Sequence, residues 1–380
     1  MSLADYRTQI DRVDQELIKL FQERMEIARG IAQVKKDESL PVMDPARERE
    51  KLHQIGEMAG PALRGYAERL WGTLFELSRQ YQMNQKDEVS PLQAQILRAV
   101  NDTPPLFPER PLVAVQGVEG AYSQSAAEKL FQLPNILYFN TFEGVFRAVD
   151  QGLCQYGVLP LENSTAGSVN RIYDLMMQYD FSIVRSTRLK VDHCLLALPG
   201  VKMEDIREII SHEQALTQSE GFLKGLTNVK VHVAENTAVA AKTVFDSGRR
   251  DMAALSSRSC AELYGLNCLQ TSVQDSSANF TRFICLSKKL EIYPGADKTS
   301  VMMVLPHRPG SLYAALGRFY ALGINLIKLE SRPLPNSDFE FMFYFDLETS
   351  VYSEEFMQMF NDIQSMCSEF RYLGSYSEAV

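Results

Sequence analysis

The chain has 380 residues, enough for two or three domains that each bury their own hydrophobic core. Its hydrophobic content of 45% and charged content of 23% are typical of a soluble globular protein, and no apolar run reaches the roughly 18 residues of a membrane span. A net charge of -9 argues against a general nucleic-acid-binding protein, which needs a basic face. Six scattered cysteines without a C-x-x-C pair favour reduced thiols in the cytoplasm over a disulfide framework or a zinc site.

Residues 3 to 36 contain no proline and predict one long helix with an apolar seam, in which the gaps alternate between three and four. The seam residues are Ile10, Val13, Leu17, Leu20, Ile27, Ile31 and Val34. Arg24 falls on this seam, and Arg7 and Lys35 fall on the row beside it. Each cation alone would usually lie on a solvated face. Three along one seam favour an anionic ligand, because buried cations need anions.

Two of these cations can share a site, and the third cannot. At a rise of about 1.5 Å per residue, Arg24 and Lys35 lie roughly 16 Å apart along the helix axis, so two long side chains could hold one small molecule. Arg7 lies roughly 25 Å from Arg24 by the same arithmetic. Arg7 is therefore predicted to serve a second site that another subunit completes.

Two more helices are predicted before residue 86. Asp44 is placed to cap the first of them, with a proline at its first position and Glu48 in its first turns. The other runs from about 61 to 85 and carries Ser78 and Gln82 on one face, at a spacing of four. Simple surface polarity would also explain this hydroxyl and amide.

These positions resemble the active-site set of the all-helical chorismate mutases, over the full length of that domain. The matching residues are Arg7, Arg24, Lys35, Asp44, Arg47, Glu48, Ser78 and Gln82. The resemblance implies an intertwined all-α dimer at residues 1–86, in which one arginine of the first helix reaches the partner's site. It also implies that the arginines hold carboxylates, Lys35 and Gln82 face the breaking ether oxygen, Glu48 binds the ring hydroxyl, and Asp44 and Ser78 support the ring side. The implied reaction, the rearrangement of chorismate to prephenate, is unimolecular and needs no nucleophile, metal or cofactor.

Residues 87–110 are rich in proline and predict a linker with at most one helical turn. From 111 to 290, β runs alternate with helical stretches, which predicts α/β lobes with mostly parallel sheets and helices on both faces. The predicted strands are 112–115, 136–139, 156–159, 183–187, 191–198, 206–210, 229–233, 252–255 and 283–286. The length is enough for two lobes, and the cleft between lobes is a natural ligand site.

Four polar stretches could line such a cleft. The turn G-x-x-G-A-Y-S at 117–123 opens a helix and can bind an anion, although such turns are common. The loop P-L-E-N-S at 160–164 could offer hydrogen-bond donors to a ligand in the cleft. The same residues would also suit a helix N-cap followed by a turn. In the third stretch, from 211, two glutamines stand one helical turn apart. In N-F-T-R-F at 279–283, alternation places Thr281 and Arg282 on opposite faces, as in an ordinary half-buried strand.

Together these stretches and the sequences D-H-C-L-L and E-L-Y-G-L resemble prephenate dehydratase along its catalytic region. Glu213 and Ser219 depart from the family pattern. The resemblance implies lobes like those of type II periplasmic binding proteins, and loss of hydroxide and carbon dioxide from prephenate in one step. Thr281 would be catalytic, as donor to the departing hydroxide, with help from Glu162, His212 or water. Its implied substrate-binding residues are Ser123, Glu162, Asn163, Ser164, Ser211, Gln214, Gln218, Asn279, Phe280 and Arg282. His193 is predicted to be structural.

Residues 297–380 predict a βαββαβ order, that of an α+β ferredoxin-like sandwich, with strands at 299–305, 324–330, 339–347 and 371–376. The segment resembles an ACT domain, a module that binds amino acids between paired copies. The residues that match its phenylalanine-sensing motifs are Gly310, Ser311, Leu312, Glu330, Ser331, Arg332 and Pro333. Ser311 stands where alanine is usual. The fold alone would suit a dimerisation module equally well.

The three modules predict a multidomain, bifunctional chorismate mutase–prephenate dehydratase with feedback inhibition by L-phenylalanine. It is expected to act in the cytoplasm as a homodimer or larger homo-oligomer, without cofactor, metal, nucleic acid or membrane. One alternative is a non-catalytic regulator that senses amino acids, which the cation set and Thr281 disfavour. Another is a dehydratase, acting on prephenate or arogenate, whose mutase domain is residual.

Overall fold

The structure, a computed structural model, describes residues 2–38, 40–41, 44–83, 90–334, 340–364 and 366–379. The chain divides into two compact units, a helical unit of Met1–Gln93 with Gln358–Met366 and a larger unit of Ala94–Met357 with Cys367–Val380. The predicted boundary between residues 86 and 87 lies outside the described residues. Within the described ranges, no helix is long and apolar enough to cross a membrane.

Two long helices form the N-terminal unit, α1 (Leu3–Asp37) and α2 (Pro45–Met83). Gly60 breaks α2 with φ 73° and ψ 167°, and Pro61 opens the next segment, so α2 contains both helices expected after the first. Asp44 caps the start of α2, because its Oδ1 accepts the Arg47 N–H at 3.0 Å. The three predicted helical segments are therefore confirmed.

The apolar seam of α1 is exposed in the single chain. Leu17 is 55% exposed and Ile27 is 58% exposed, and the other seam residues are exposed as well. Met25 and Ala28 of α1 are buried, and Met25 contacts Ser78 of α2. The long hydrophobic stripe predicted to face other helices is thus largely uncovered by α2.

Residues 91–102 form a helix where a linker was predicted. This helix, α3 (Pro91–Asp102), spans twelve residues, so the expectation of at most one turn was wrong. Ser90 Oγ accepts the Gln93 N–H at 3.2 Å, and Gln93 Oε1 accepts the Ser90 N–H at 2.9 Å. This reciprocal capping box stabilises the start of the helix, and Ile96 on its apolar face is buried.

The larger unit contains two lobes and a C-terminal module. The first lobe has β1 (Leu112–Gln116), α4 (Tyr122–Leu130), β2 (Asn135–Phe139), α5 (Phe142–Asp150), β3 (Tyr156–Asn163), β4 (Gly167–Ser168), α6 (Asn170–Gln178) and β5 (Ser182–Lys190). The second has β6 (Cys194–Ala197), a 3₁₀ turn (Met203–Asp205), β7 (Glu208–His212), α7 (Glu213–Thr217), α8 (Glu220–Lys224), β8 (Lys230–Ala234), α9 (Thr237–Ser247), β9 (Met252–Ser256), α10 (Arg258–Tyr264) and β10 (Asn267–Gln270). The chain then returns to the first lobe as β11 (Phe280–Ser287).

Both lobe sheets are mixed, so the expectation of mostly parallel sheets was only partly right. In the first lobe β1 runs parallel to β2 and β3, but β11 inserts between β3 and β5 and runs antiparallel to both. The second lobe has the order β10-β6-β9-β7-β8, in which β7 is parallel to β8 and β9 while β6 is antiparallel to its neighbours. The antiparallel pairs arise where the chain passes between the lobes, which periodicity within single strands does not reveal.

The C-terminal module has the predicted βαββαβ order. It contains β12 (Lys298–Val304), α11 (Ser311–Ala321), β13 (Asn325–Pro333), β14 (Phe341–Glu348), α12 (Glu354–Gln364) and β15 (Glu369–Tyr376). Its strands form a four-stranded antiparallel sheet in the order β13-β14-β12-β15. This is the ferredoxin-like arrangement, so the predicted topology is confirmed.

The module and the first lobe are packed into one structure. Buried residues of both share one hydrophobic core, to which the module contributes Met302, Tyr344 and Leu373. Close approach requires glycine at 374, where φ is 131° and a Cβ would meet the Ile183 carbonyl oxygen at 2.3 Å. A last strand, β16 (Glu378–Ala379), leaves the module and pairs in parallel with β5. The module and the first lobe therefore share a hydrophobic core and one strand pairing.

Candidate active sites

A cavity of about 550 Å³ lies between the two lobes of the larger unit. The first lobe contributes the end of β3 and the beginnings of β11, α4 and α6, and the second contributes the beginnings of α7 and α9. Of the residues predicted from sequence, it is lined by Ser123, Asn163, Gln214, Gln218 and Thr281. These polar groups come from both lobes, as expected for a ligand site in a cleft.

Asn163 is held in one orientation beside Thr281. Its Oδ1 accepts the backbone N–H groups of Thr165 and Ala166 at 3.0 and 2.9 Å. Its Nδ2 therefore faces the other way and donates to Thr281 Oγ1 at 2.9 Å and to Asn279 Oδ1 at 2.8 Å. Within the described residues Thr281 donates to no protein acceptor. Its hydroxyl hydrogen is thus available to a ligand.

Gln218 links this pair to the second lobe. Its Oε1 accepts from Asn279 Nδ2 at 2.9 Å, and its Nε2 donates to Thr165 Oγ1 at 2.8 Å. Asn279 is buried and contacts Asn163 and Gln218, although it does not itself line the cavity. A continuous amide chain therefore runs across the cleft and fixes the position of Thr281.

Three other predicted substrate-binding residues hold the backbone instead. Ser211 is fully buried and donates to the Leu255 carbonyl oxygen at 2.6 Å, which ties β7 to β9. Ser164 Oγ accepts the Phe280 N–H at 2.9 Å and donates to a backbone carbonyl. Phe280 is 42% exposed and lies outside the cavity lining. The expectation that these residues touch the ligand is corrected accordingly.

Glu162 and Arg282 also turn away from the cavity. They form an ion pair with each other at 3.1 Å, and Arg282, only 5% exposed, pairs with Asp346 of the C-terminal module. The expected role of Arg282 as a carboxylate anchor is therefore wrong, as is that of Glu162 as a ligand contact. Side chains alternate along a strand, so Thr281 and Asn163 can face the cavity only if Arg282 and Glu162 do not.

His193, predicted to be structural, lines the cavity and is buried. Its Nε2 lies 3.4 Å from Gln218 Oε1. Burial lowers the pKa of His193, although the hydrogen bond to Gln218 opposes this effect, so the ring is neutral near pH 7. The motif D-H-C-L-L was the sequence signal for this position. His212 also lines the cavity, and its Nδ1 accepts the Gln214 N–H at 3.3 Å, which leaves Nε2 as a donor.

Lysine and arginine are absent from the described lining of the cavity, and Glu235 is its carboxylate. Positive potential must therefore come from backbone dipoles. Helices α4 and α6 both begin at the cavity, and their N-cap residues, Ala121 and Val169, provide no side-chain cap. Their first N–H groups can bind carboxylates, because uncapped helix N-termini attract anions.

The N-terminal unit builds a different kind of site. Arg24 donates to the Leu74 carbonyl oxygen at 3.1 Å and to Ser78 Oγ, and its guanidinium lies 5.6 Å from the centre of the Phe75 ring. Burial lowers the pKa of Arg24. The side chain is thus held against α2 beside Ser78.

The other predicted residues of this unit are less closely gathered in the single chain. Glu48 pairs with Arg79, a residue that the sequence did not single out. Gln82 Oε1 is buried and has no hydrogen-bond partner among the described residues. Arg7 and Arg47 are exposed, and Arg47 pairs with Glu50 on its own helix. Lys35 is half-buried and Asp44 serves as the helix cap.

The predicted effector residues fall into two groups. Gly310, with φ 89°, precedes α11, and the Ser311 Oγ is buried without a hydrogen-bond partner in the part of the chain described. Along β13, Ser331 and Pro333 are exposed. The side chains that alternate with them, Glu330 and Arg332, contact the first lobe. Glu330 accepts from Ser168, and Arg332 forms a bidentate ion pair with Asp174 at 2.9 and 3.1 Å. Leu312 is half-buried.

Two α/β lobes with a polar network in the cleft define a protein that binds a small molecule between its lobes. The sequence models of the families prephenate dehydratase and chorismate mutase type II match residues 113–291 and 6–83. A bifunctional chorismate mutase/prephenate dehydratase of Aquifex aeolicus is 30% identical over 100% of this chain and 98% of its own length. The chain belongs to the family of bifunctional chorismate mutase/prephenate dehydratases, and it therefore has an isomerase domain and a lyase domain.

Other relatives match most of the chain. Arogenate dehydratase 2 of Petunia hybrida is 38% identical over 78% of this chain and 79% of its own length. The crystal structure of prephenate dehydratase from Arthrobacter aurescens in complex with L-Phe is 26% identical, with a TM-score of 0.65, over 70% of this chain and 90% of that one.

Proposed function

We propose that the N-terminal helices rearrange chorismate to prephenate and that the interlobe cavity converts prephenate to phenylpyruvate. The amide chain that holds Thr281 at the cavity carries the second assignment. Purified protein supplied with chorismate is expected to release phenylpyruvate. If prephenate accumulates without phenylpyruvate, the dehydratase assignment is wrong.

In the dehydratase step, the ring carboxylate leaves as carbon dioxide, and its bonding electrons aromatise the ring as the ring hydroxyl departs. Thr281 donates a hydrogen bond to that hydroxyl, with its position fixed by Asn163. A threonine hydroxyl is a poor acid, and the His212 ring, whose Nδ1 accepts the Gln214 N–H, offers only a neutral imidazole N–H, so the proton that completes water comes from a water molecule. Glu162 is excluded from this part because it faces the C-terminal module.

The two carboxylates of prephenate bind without cationic side chains. The uncapped beginnings of α4 and α6 provide backbone N–H groups at the cavity, and Ser123 adds a hydroxyl there. Because these donors are fixed, they need no reorganisation when charge moves from the carboxylate to the departing hydroxide.

In the mutase step, the protein holds a folded conformer and stabilises charge on the breaking ether oxygen. Arg24 is held by Leu74, Ser78 and Phe75, which suits a fixed clamp for one carboxylate. Lys35 and Gln82 face the ether oxygen, as the resemblance implies. The buried, unpaired Gln82 Oε1 supports a ligand at this position, since buried polar atoms are normally hydrogen-bonded.

A second copy of the chain covers the exposed apolar seam of α1. The seam is too long and too apolar to remain in water without a partner. Arg7 is exposed on the same helix and completes the site of that partner. The protein thus functions as a homodimer or a larger assembly, in the reducing environment of the cytosol that its cysteine usage favours.

L-Phenylalanine inhibits the dehydratase by binding to the C-terminal module, which is of the ACT type. The buried and unpaired Ser311 Oγ beside the left-handed Gly310 supports a polar ligand at the start of α11. The core shared with the first lobe gives this binding a path to the cavity. Saturating phenylalanine that leaves the dehydratase rate unchanged would refute this assignment.

Arogenate is the second candidate substrate. It carries an ammonium group where prephenate has a keto group, and Glu235 in the cavity could pair with that ammonium. Comparison of kcat/KM for the two substrates decides between them. A higher value for prephenate supports the main assignment.

A further inference from the structure

Strands β3 and β11 carry two residue pairs that face in opposite directions. Asn163 stands opposite Thr281, and Glu162 stands opposite Arg282. The first pair meets at the cavity, where the distance from Asn163 Nδ2 to Thr281 Oγ1 is 2.9 Å. The second pair meets on the other face of the sheet, where the guanidinium lies 3.1 Å from the carboxylate. Each catalytic residue is therefore the direct chain neighbour of one member of an ion pair.

The ion pair is embedded in the C-terminal module. Asp346 of β14 pairs with Arg282 and is itself fully buried, and Tyr376 OH accepts from Arg282 Nη2 at 2.8 Å. Lys328 of β13 donates to Glu162 Oε2 at 2.6 Å. These five residues form what we call the β3–β11 clamp.

Charge keeps the clamp in one geometry. Burial acts to lower the pKa of Arg282, but the hydrogen bond to the neutral Tyr376 hydroxyl and the charge of the Asp346 carboxylate outweigh it and hold the guanidinium protonated. Burial likewise acts to raise the pKa of Glu162, but Lys328 and Arg282 bring it below its usual range. Buried ions that lose a partner are strongly unfavourable, so the strands cannot shift without the module.

The backbone needs such a support at this point. The register between β3 and β11 shifts between Arg282 and Phe283, where Leu161 of β3 is skipped while β5 stays in register with β11 at this point. At such an irregularity the ladder alone does not determine where the side chains of β3 point. The ion pair of Glu162, which lies between Leu161 and Asn163, can.

We propose that the β3–β11 clamp positions Thr281 and Asn163, so that the C-terminal module sets the dehydratase rate through Glu162 and Arg282. This proposal rests on the proposed dehydratase function. Glu162 and Arg282 are positioning residues, which do not touch the substrate. The clamp is also the route by which an effector bound to the module changes the rate.

The test weakens the clamp from the side of the module. In Asp346→Asn the side chain keeps its size and can still bond to Ser300 and Tyr344, but it loses the charge that faces Arg282. In Lys328→Met the stem remains and the charge that faces Glu162 is lost. Each variant is expected to lower the dehydratase kcat at least about threefold, with KM little changed and mutase activity intact. Inhibition by phenylalanine should weaken while its binding, measured by calorimetry, is retained.

Asp174→Asn is the matched control. It also removes an ion pair between the module and the first lobe, that of Arg332, but Asp174 lies on α6 and not on a catalytic strand. Its kcat should equal that of the wild type. Thermal unfolding of each variant verifies that it is folded.

Equal kcat in the wild type and the clamp variants would overturn the proposal, as would an equal loss in Asp174→Asn. If Asp346→Asn does not fold, the kcat of Lys328→Met alone decides the test, because the Lys328 ammonium that this variant removes lies at the edge of the network. A wild-type protein inactive on both prephenate and arogenate would instead overturn the proposed function.

Discussion

The two sites of this chain handle anionic substrates by opposite means. The N-terminal unit presents cations along a helix whose apolar seam is exposed, with Arg24 as its best-fixed member. The interlobe cavity has hydroxyls, amides and helix N-termini in place of cations, and both walls come from one chain. In the proposed function, the reaction that needs charge opposite an ether oxygen uses side chains that assembly brings together. The reaction driven by loss of carbon dioxide uses neutral donors fixed in advance.

The sharpest way to separate the two sites is to remove the Thr281 hydroxyl. In Thr281→Ala the dehydratase kcat should fall by about 100- to 1,000-fold, because the donor to the departing hydroxide is lost. Asn163 keeps its bond to Asn279, so the site should retain its shape. Steady-state formation of phenylpyruvate measures the effect. Thr281→Ser, which keeps a hydroxyl, is the control, and mutase activity that fell with the dehydratase would contradict the separation.

The reciprocal change removes the Lys35 ammonium. In Lys35→Ala the mutase rate should fall by about 100-fold, since the charge that faces the ether oxygen is lost. The consumption of chorismate measures it, and the rate on supplied prephenate should not change. The control is Arg29→Ala on the same helix, because Arg29 pairs with Glu26 at the surface. An equal loss in both variants would show that the effect is not local.

A charge placed in the apolar seam of α1 tests whether the mutase site, unlike the interlobe cavity, needs subunit assembly. Leu17→Asp should separate the subunits and lower the mutase rate about tenfold at low protein concentration, because a buried, unpaired carboxylate is unfavourable. The dehydratase rate should remain. Sedimentation reports the assembly, and Lys19→Asp, on the polar side of α1, is the matched control. A monomer with full mutase activity would refute the shared site.

The smallest effect concerns His193. Because burial holds its pKa below the value of the unfolded chain, the unfolded state binds more protons as the pH falls below about 6.5. The contribution of His193 to the free energy of unfolding should therefore be fully present above that pH. It should decline as the pH falls through the lowered pKa of His193 in the folded protein. Denaturant unfolding between pH 5 and 8 measures this (roughly the histidine range), and His193→Asn should reduce the slope. An unchanged slope in His193→Asn would contradict the assignment.

Local sequence patterns predicted the structural features that depend on residues close together in the chain. The seam of α1, the βαββαβ order and the opposite facing of Thr281 and Arg282 all follow from periodicity. The partners of Arg282 could not be predicted this way, because Asp346 and Tyr376 are far along the chain and reach it only through the packing of the module. The insertion of β11 between β3 and β5 is likewise a property of topology. Helix α3 was different, since the capping box of Ser90 and Gln93 was present in the sequence.

The most direct test follows chorismate, prephenate and phenylpyruvate over time in the wild type, Lys35→Ala and Thr281→Ala. The wild type should convert chorismate through to phenylpyruvate. Lys35→Ala should leave chorismate largely unchanged and yet convert added prephenate, whereas Thr281→Ala should accumulate prephenate. A wild type that stops at prephenate, or a single substitution that abolishes both conversions, would contradict the assignment of two separate sites.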